Sequence, residues 1–324
     1  MAAPSRPAAP ERRAGLATRA EHHRYGMIAW VSGIYDQPEL YELACAYRDI
    51  PAEVTALQAW CARHHKGHVR AVLELAAGPA EHAREFARRG VRATALDRSP
   101  AMCGYAAAQA KSAGVALDVI EGDMRDFRVS AADGEPVPFD LAITMLNSLC
   151  HLFTLDDLVR HLAAVRAQLA PGGLYIAELA HPADFFAAEP RTSNRWVVDA
   201  DGVHADVHWG GKGDRIDPLT QVTREHMSIT ATARDGTIRT VSDVVPNRFW
   251  TLTEVTAAIA LAGPALAGTA LANTGTAASG GFGGTAASGG FDLVATYGDF
   301  DAATPLDAPA AWRMILILQA AGTG

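Results

Sequence analysis

The sequence predicts an α/β fold: a doubly wound parallel sheet with helices on both faces and a small antiparallel β lid inserted late in the chain. Three observations carry that expectation. Val72-Leu73-Glu74-Leu75-Ala76-Ala77-Gly78-Pro79 reads as a buried strand running into a turn of small residues, and Thr94-Ala95-Leu96-Asp97 as a later strand ending in an acid. Strand and helix patterns alternate from residue 70 to 179, as they do when parallel strands are joined by covering helices. Over 181–245 the alternation stops and β-branched, alternating runs take its place.

The chain has 324 residues, enough for one large domain or one domain with a lid, and the second is favoured. A formal net charge of -8 leaves no broad basic surface for phosphate backbones or anionic lipid, so neither nucleic acid nor a membrane is expected as a partner. The apolar stretch at 141–155 is interrupted by Asn147 and His151 and is no membrane span. Cys45, Cys61, Cys103 and Cys150 form no C-x-x-C pair and fit reduced thiols in a cytoplasm. Residues 1–24, rich in Ala, Pro and Arg without an apolar core, read as a disordered tail.

Residues 25–66 read as an N-terminal helical cover. Pro51 at a first-turn position and Glu53 near the positive helix end start a helix that runs to about His65. Tyr41 and Arg48 stand two turns apart on one helix face if the segment is continuous, as amphipathic surface or as groups over a ligand. The core is expected over 67–180 and 246–324. A strand ends at Leu75, a helix covers 80–89 and stops at Gly90, a strand reaches Leu96, and a helix covers 100–112 before Gly114. A strand over 115–120 leads to Glu121-Gly122-Asp123-Met124, and a fourth over 139–145 leads to Leu146-Asn147-Ser148-Leu149-Cys150-His151. A helix over 156–169 and the turn Pro171-Gly172-Gly173 precede a strand over 174–179.

The lid, 181–245, shows strand runs over 196–199, 221–232 and 237–245, the last two joined at Asp235-Gly236. Thr251 or Thr253 caps a helix that ends near Gly263. Residues 264–290 contain a direct nine-residue duplication and read as a flexible surface insertion. Strands over 291–297 and 312–319 close the sheet.

Ligands in such sheets bind beyond the carboxyl ends of the strands, and Glu74/Gly78, Asp97, Asp123, Asn147/His151 and Glu178/His181 all fall at that edge. Small turn residues let a ligand approach the backbone, and the helix that follows offers free N–H groups. The dinucleotide fingerprint G-x-G-x-x-G is not met, because Ala76, Gly78 and Glu81 occupy its positions. An adenosine that carries an amino acid, as in S-adenosylmethionine, suits the turn better than a pyrophosphate.

With those residues in view, 72–179 resembles a class I S-adenosylmethionine-dependent methyltransferase of small-molecule type. Glu74-Leu75-Ala76-Ala77-Gly78 stands as the first motif, Leu96-Asp97 as the second, Gly122-Asp123-Met124 as the third, Phe139-Asp140-Leu141-Ala142 as the fourth, and Leu169-Ala170-Pro171-Gly172-Gly173-Leu174 as the turn after it. The resemblance implies seven strands, the last antiparallel. It implies Gly78 beside the cofactor's methionine, Asp97 on the ribose hydroxyls, Asp123 on the adenine amino group with Met124 against the ring, and Leu146 on the opposite adenine or sulfonium side. Glu74, Ala76 and Arg98 complete that set, and Arg48, with Tyr41, would reach the methionine carboxylate from the cover. Family members usually have glycine where Ala76 stands. Leu146-Asn147-Ser148-Leu149 replaces the Asp/Asn-Pro-Pro-aromatic run of nucleic-acid amino methyltransferases, so a small-molecule oxygen or nitrogen is the expected acceptor. Insertions at the lid position cover substrate or build a homodimer face.

Methyl transfer needs alignment and a place for any proton the acceptor sheds. His151 and His181 are the candidate bases, or else loop-bracing histidines. His204, Asp206 and His208 alternate onto one strand face, with His226 elsewhere in the lid; they line a pocket, hold a metal or are solvated surface, and no metal is expected. Phe185, Phe186, Trp196, Trp209 and Trp250 are pocket wall or core. The rival functions are a nicotinamide-dependent oxidoreductase and a non-catalytic S-adenosylmethionine-binding protein.

Overall fold

Strand β1 (Ala71–Leu75) is buried at every position, as an apolar run covered on both faces must be. In the computed structural model, which describes residues 33–65, 67–130, 137–186, 193–263 and 290–321, β1 lies at the centre of the sheet. The tail expected over 1–24 and the duplicated stretch up to residue 289 lie outside the described residues.

Parallel to β1 run β2 (Arg92–Asp97) and β4 (Phe139–Thr144), with β3 (Leu117–Glu121) beyond β2 and β5 (Leu169–Ala180) beyond β4. The chain's last strand, β11 (Arg313–Ala320), is antiparallel both to β5 and to β10 (Phe291–Tyr297). The order β10-β11-β5-β4-β1-β2-β3 is the expected seven-stranded doubly wound sheet. Its order reverses between β1 and β4, which opens a crevice at their carboxyl ends.

Side chains alternate across the strands, so neighbouring residues of β1 feed different cores. Val72 packs with Val54, Leu57 and Trp60 of α2 (Ile50–His64) and Phe86 of α3 (Glu81–Arg88), beside Ala106 of α4 (Pro100–Ser112). Leu73 and Leu75 join Leu158 and Leu162 of α5 (Leu155–Gln168) and Val255 and Ile259 of α6 (Leu252–Ala262). Each large apolar side chain buried this way contributes about 1.5–3 kcal/mol. Local chemistry sets the helix starts: Asp49 and Ser99 accept from the backbone of α2 and α4, and Thr154 and Thr251 form capping boxes with Asp157 and Glu254. Among the described residues no helix is long and apolar enough to cross a membrane.

One expectation needs correction and one needs completing. Tyr41 and Arg48 do not share a helix: α1 (Pro38–Cys45) ends before Arg48, which lies in the turn leading to Asp49. Pro51 suits the break, since it has no N–H to bond the Tyr47 carbonyl and carry a helix through that turn, while it fits the first turn of α2. The lid has four strands, the three named runs and the strand that carries His204, Asp206 and His208: β6 (Asn194–Ala200), β7 (Val203–Trp209), β8 (Val222–Ala233) and β9 (Ile238–Arg248). The fourth is made by a tight turn at Asp201 and Gly202, both left-handed at φ 50° and 79°. Alternate residues of the lid, including Val207, Met227, Ile229, Ala231 and Val245, pack on Ile34, Leu40 and Ala44, so the cover lies under the lid.

Candidate active site

The crevice is built from three left-handed residues spaced two apart: Ala76 (φ 49°), Gly78 (φ 52°) and Ala80 (φ 57°). That geometry folds the chain back from β1 into α3 and aims the Gly78 N–H at Asp97 Oδ2, 2.7 Å away. Asp97 Oδ1 accepts from Ser99 N at 2.8 Å. Burial raises the Asp97 carboxyl's pKa, and these backbone donors oppose the rise. A side chain in left-handed backbone costs about 1–2 kcal/mol, which Ala76 and Ala80 both bear where glycine would not.

Beyond β4 the chain turns through Leu146 (φ 53°) and Asn147 (φ 59°), again left-handed. The turn is tied to β5: Leu146 N donates to Glu178 Oε2 at 2.9 Å, Asn147 N to the Glu178 carbonyl at 3.1 Å, and Ala180 N to Asn147 Oδ1 at 3.0 Å. Between the two turns opens a cleft whose lining includes Tyr41, Cys45, Arg48, Glu74, Ala76, Gly78, Glu81, His82, Met145 and Leu146. Asp97, Arg98, Asp123 and Met124 lie outside that lining, at the ends of β2 and β3.

Under the cleft, three acids meet three cations. Arg48 donates through Nε and Nη2 to Glu53 at 2.6–3.1 Å and through Nη2 to Glu178 at 2.8 Å. Arg313 Nη1 reaches Glu178 at 3.1 Å and Glu53 at 3.4 Å. His82 bridges Glu53 (2.8 Å) and Glu74 (3.3 Å), and Glu74 also accepts from Ala83 N at 2.7 Å. Burial alone would discharge these groups. Instead the hydrogen bonds to Glu53 and Glu74 lift His82 to about 9, and those from His82 and Arg48 hold Glu53 down at about 2. Arg48, read from sequence as a ligand for the cofactor, is thus also the tie between cover and core. Its Nη1 makes no hydrogen bond among the described residues.

The other site residues are spread along the same edge. Asp123 is gripped by Arg125 (2.6–3.1 Å), which keeps its carboxyl low against the effect of burial. Met124 is buried with Leu75 and Leu96, and its carbonyl meets His161 Nδ1 at 2.8 Å. The charge of Arg98 acts on both Asp97 and His151.

His151 closes a short 3-10 turn, Ser148–His151, and its Nε2 lies 3.0 Å from the Tyr35 hydroxyl. A second bond, to the Pro246 carbonyl, needs a ring N–H, so with that proton on Nδ1 the Nε2 atom accepts from Tyr35. Burial, with Arg98 adding to it, pushes His151 down to about 4. His181 instead caps the turn Pro182–Asp184: Nδ1 accepts from Ala183 N (3.2 Å) and Nε2 donates to the Leu306 carbonyl (2.9 Å). Both its nitrogens are committed to the main chain.

In the lid, His204 pairs with Asp199 and Asp206 with Arg195, while His208 sits 3.4 Å from Asp206 and His226 pairs with Asp214. Among the described residues no cluster suits a metal ion. Trp196 and Trp209 join Tyr35 and Tyr41 in an aromatic seam between lid and cover, whereas Trp250 is core. Sequence reasoning passed over Tyr35, Glu81, His82 and Arg313 as site residues and read Glu53 only as a helix-start acid. His82 had no local signal to set it apart, standing among Glu81, Arg84 and Glu85 at a charged helix start, and its partners are distant in sequence.

Residues 72–173 match the family model described as a methyltransferase domain. No curated protein matches the chain in sequence. Among solved structures, an S-adenosylmethionine-dependent methyltransferase from Clostridium acetobutylicum is 15% identical with a TM-score of 0.63, over 87% of this chain and 96% of that one. DesVI from Streptomyces venezuelae is 19% identical with a TM-score of 0.62, over 86% and 96%. A sugar N-methyltransferase from a Streptoalloteichus species is 17% identical with a TM-score of 0.57, over 98% of both chains. At such identities the likeness is one of fold; together with the domain match, it marks residues 72–173, from β1 into β5, as a methyltransferase domain on the fold of S-adenosylmethionine-dependent methyltransferases.

Proposed function

We propose that the enzyme methylates an oxygen or nitrogen of a small molecule, with the cofactor along the ends of β1 to β4 and the acceptor between that edge and the lid. The observation that carries the reading is the Asp97 carboxylate, oriented by the Gly78 and Ser99 N–H groups with lone pairs left for two ribose hydroxyls. The residues present suit the cofactor: a backbone turn bare of side chain at Gly78, an arginine and acids at one end of the cleft, and an acid at the next strand end.

Bound S-adenosylmethionine supplies a methyl group on a sulfonium, open to in-line displacement. Arg48, preset by Glu53 and Glu178, would turn Nη1 to the methionine carboxylate, with Glu74, Ala76 and Tyr41 around it. Asp97 and Arg98 would hold the ribose end, Asp123 and Met124 the adenine, and Leu146 its other side. His151 is the better candidate base, because it is uncharged at neutral pH and its Nε2 opens onto the Tyr35 hydroxyl. His181 would brace its loop.

The acidic chain, without the nucleic-acid amino motif, supports a small acceptor. Solved structures of similar fold include a sugar N-methyltransferase and an amino pentose methyltransferase. Four free cysteines fit a cytoplasmic setting, and exposed Val197, Ile238 and Val244 on the lid would serve a homodimer contact.

The test is mass spectrometry of small amines and alcohols incubated with enzyme and S-adenosylmethionine. A methylated product, formed about 10²-fold or more slowly by His151→Asn but near normally by His181→Ala, is expected. Unchanged turnover in His151→Asn removes the base, and no product from any acceptor removes the small-molecule reading.

A further inference from the structure

Glu81, the first residue of α3, lines the same cleft as Tyr41, Arg48 and Gly78, and no role follows for it from the family's motifs. The charges around it are otherwise matched. Glu53, Glu74 and Glu178 are committed to Arg48, His82 and Arg313. Glu42 of α1 is taken by Arg84 of α3 and by the Tyr105 hydroxyl of α4. Glu81 has no hydrogen bond or ion pair among the described residues and is only partly exposed. Among the described residues it is the one acid lining this cleft without a committed cation.

The groups that bear on it are Glu42 and Cys45 from α1, His82 and Arg84 from α3 itself, and Glu74 from β1, with Arg48 across the cleft. Burial, then Glu42, raises its carboxyl to about 7, with His82 and Arg84 opposing. The amino-acid end of the cofactor is a zwitterion that brings one anion and one cation. Arg48 Nη1 offers a donor to the anion. The opposite charge needs an acid, and Glu81 is the acid left over.

We propose that Glu81 is the counter-charge for the ammonium group of the cofactor's methionine. The inference rests on the methyltransferase reading and deepens it, because it assigns one half of the amino-acid subsite to a residue outside the motifs. It also predicts linkage. An acid that is protonated when the cleft is free and ionised when it is filled must release its proton on binding, so affinity rises with pH until the free acid is itself ionised.

The test is calorimetric titration of the whole protein with S-adenosylhomocysteine, which keeps the amino acid and is not consumed. It is run at about pH 6 and about pH 8 in buffers of different ionisation heat, so that released protons are counted directly. The wild type should release close to one proton at the lower pH and bind about tenfold more weakly there. Glu81→Gln should release none, bind with nearly the same affinity at both pH values, and lose the preference for the ligand over its deaminated analogue, S-adenosyl-4-thiobutyrate. Wild-type binding without proton release overturns the proposal while leaving the cofactor site intact, and needs no variant to fold. Proton release that persists in Glu81→Gln also overturns it, and points to Asp97 instead. No binding by the wild type at either pH overturns the methyltransferase reading and this proposal with it.

Discussion

Glu53→Gln is the perturbation with the largest worked consequence. The Glu53 side chain is 6% exposed and is within 3.4 Å of Arg48, His82 and Arg313, each on a different part of the fold. Removing its charge leaves buried cations short of a partner, and breaking such a pair from one side costs about 3–5 kcal/mol. In a domain of this size that lowers the melting temperature by roughly 6–15 °C.

The pH dependence separates this cause from simple loss of packing. His82 is raised to about 9 in the folded chain, so its share of stability is fully present below its unfolded value, about 6.5, and is lost as pH rises through 9. Glu53, held at about 2, contributes above its unfolded value and loses that share only as pH falls through 2. The share of wild-type stability that His82 supplies should therefore be constant up to about pH 6.5 and fall toward pH 9, by an amount worth about 3 kcal/mol, taking the melting temperature down with it. In Glu53→Gln the fall should shrink, because His82 loses its first hydrogen-bond partner, so the deficit should narrow toward high pH without closing, since Arg48 and Arg313 keep their charge. Thermal melts followed by circular dichroism at several pH values read this out. A variant that melts within about 2 °C of wild type at neutral pH, or whose deficit is the same at pH 6 and pH 9, refutes the network as a stabilising tie between cover and core.

Other consequences are simpler. Ala80→Gly should raise stability by up to about 1 kcal/mol, since relief of the left-handed side chain exceeds the added freedom of the unfolded chain; a lower melting temperature would count against strain at that turn. Trp60→Ala should cost about 3–5 kcal/mol by denaturant titration, because Trp60 is 2% exposed and stacked on Tyr297 at 4.7 Å. A loss under 1 kcal/mol would mean that the sheet closes over the gap.

The parallel sheet was legible because its signals are local. Gly90 and Gly114 follow closely on the ends of α3 and α4, Thr251 caps α6, and Asp97 ends β2. The crevice turn was legible as small residues, but its conformation was not. Matching Ala76, Gly78 and Glu81 to the dinucleotide spacing hid the i, i+2, i+4 run of left-handed residues, in which Ala80 is the third. β7 was legible only through the alternation of His204, Asp206 and His208 on its outer side, which left the inner Ala205 and Val207 without a β-branched run to mark them. The ion network was not legible at all. Arg48 and Glu53 are five residues apart, but Glu178 and Arg313 reach them only through the order of β5 and β11, which no local pattern encodes. The same holds for Tyr35 and His151, which lie on opposite sides of a seam that only the tertiary fold creates.

The measurement that bears most directly on the central claim is calorimetric titration with S-adenosylmethionine and S-adenosylhomocysteine, beside Asp97→Ala and with NADH as the competing ligand. The account predicts micromolar binding of both adenosyl ligands, loss of about tenfold or more in Asp97→Ala because two charge-assisted hydrogen bonds disappear, and no binding of NADH. Tight binding of NADH without binding of S-adenosylmethionine, or Asp97→Ala binding as well as wild type, would contradict it.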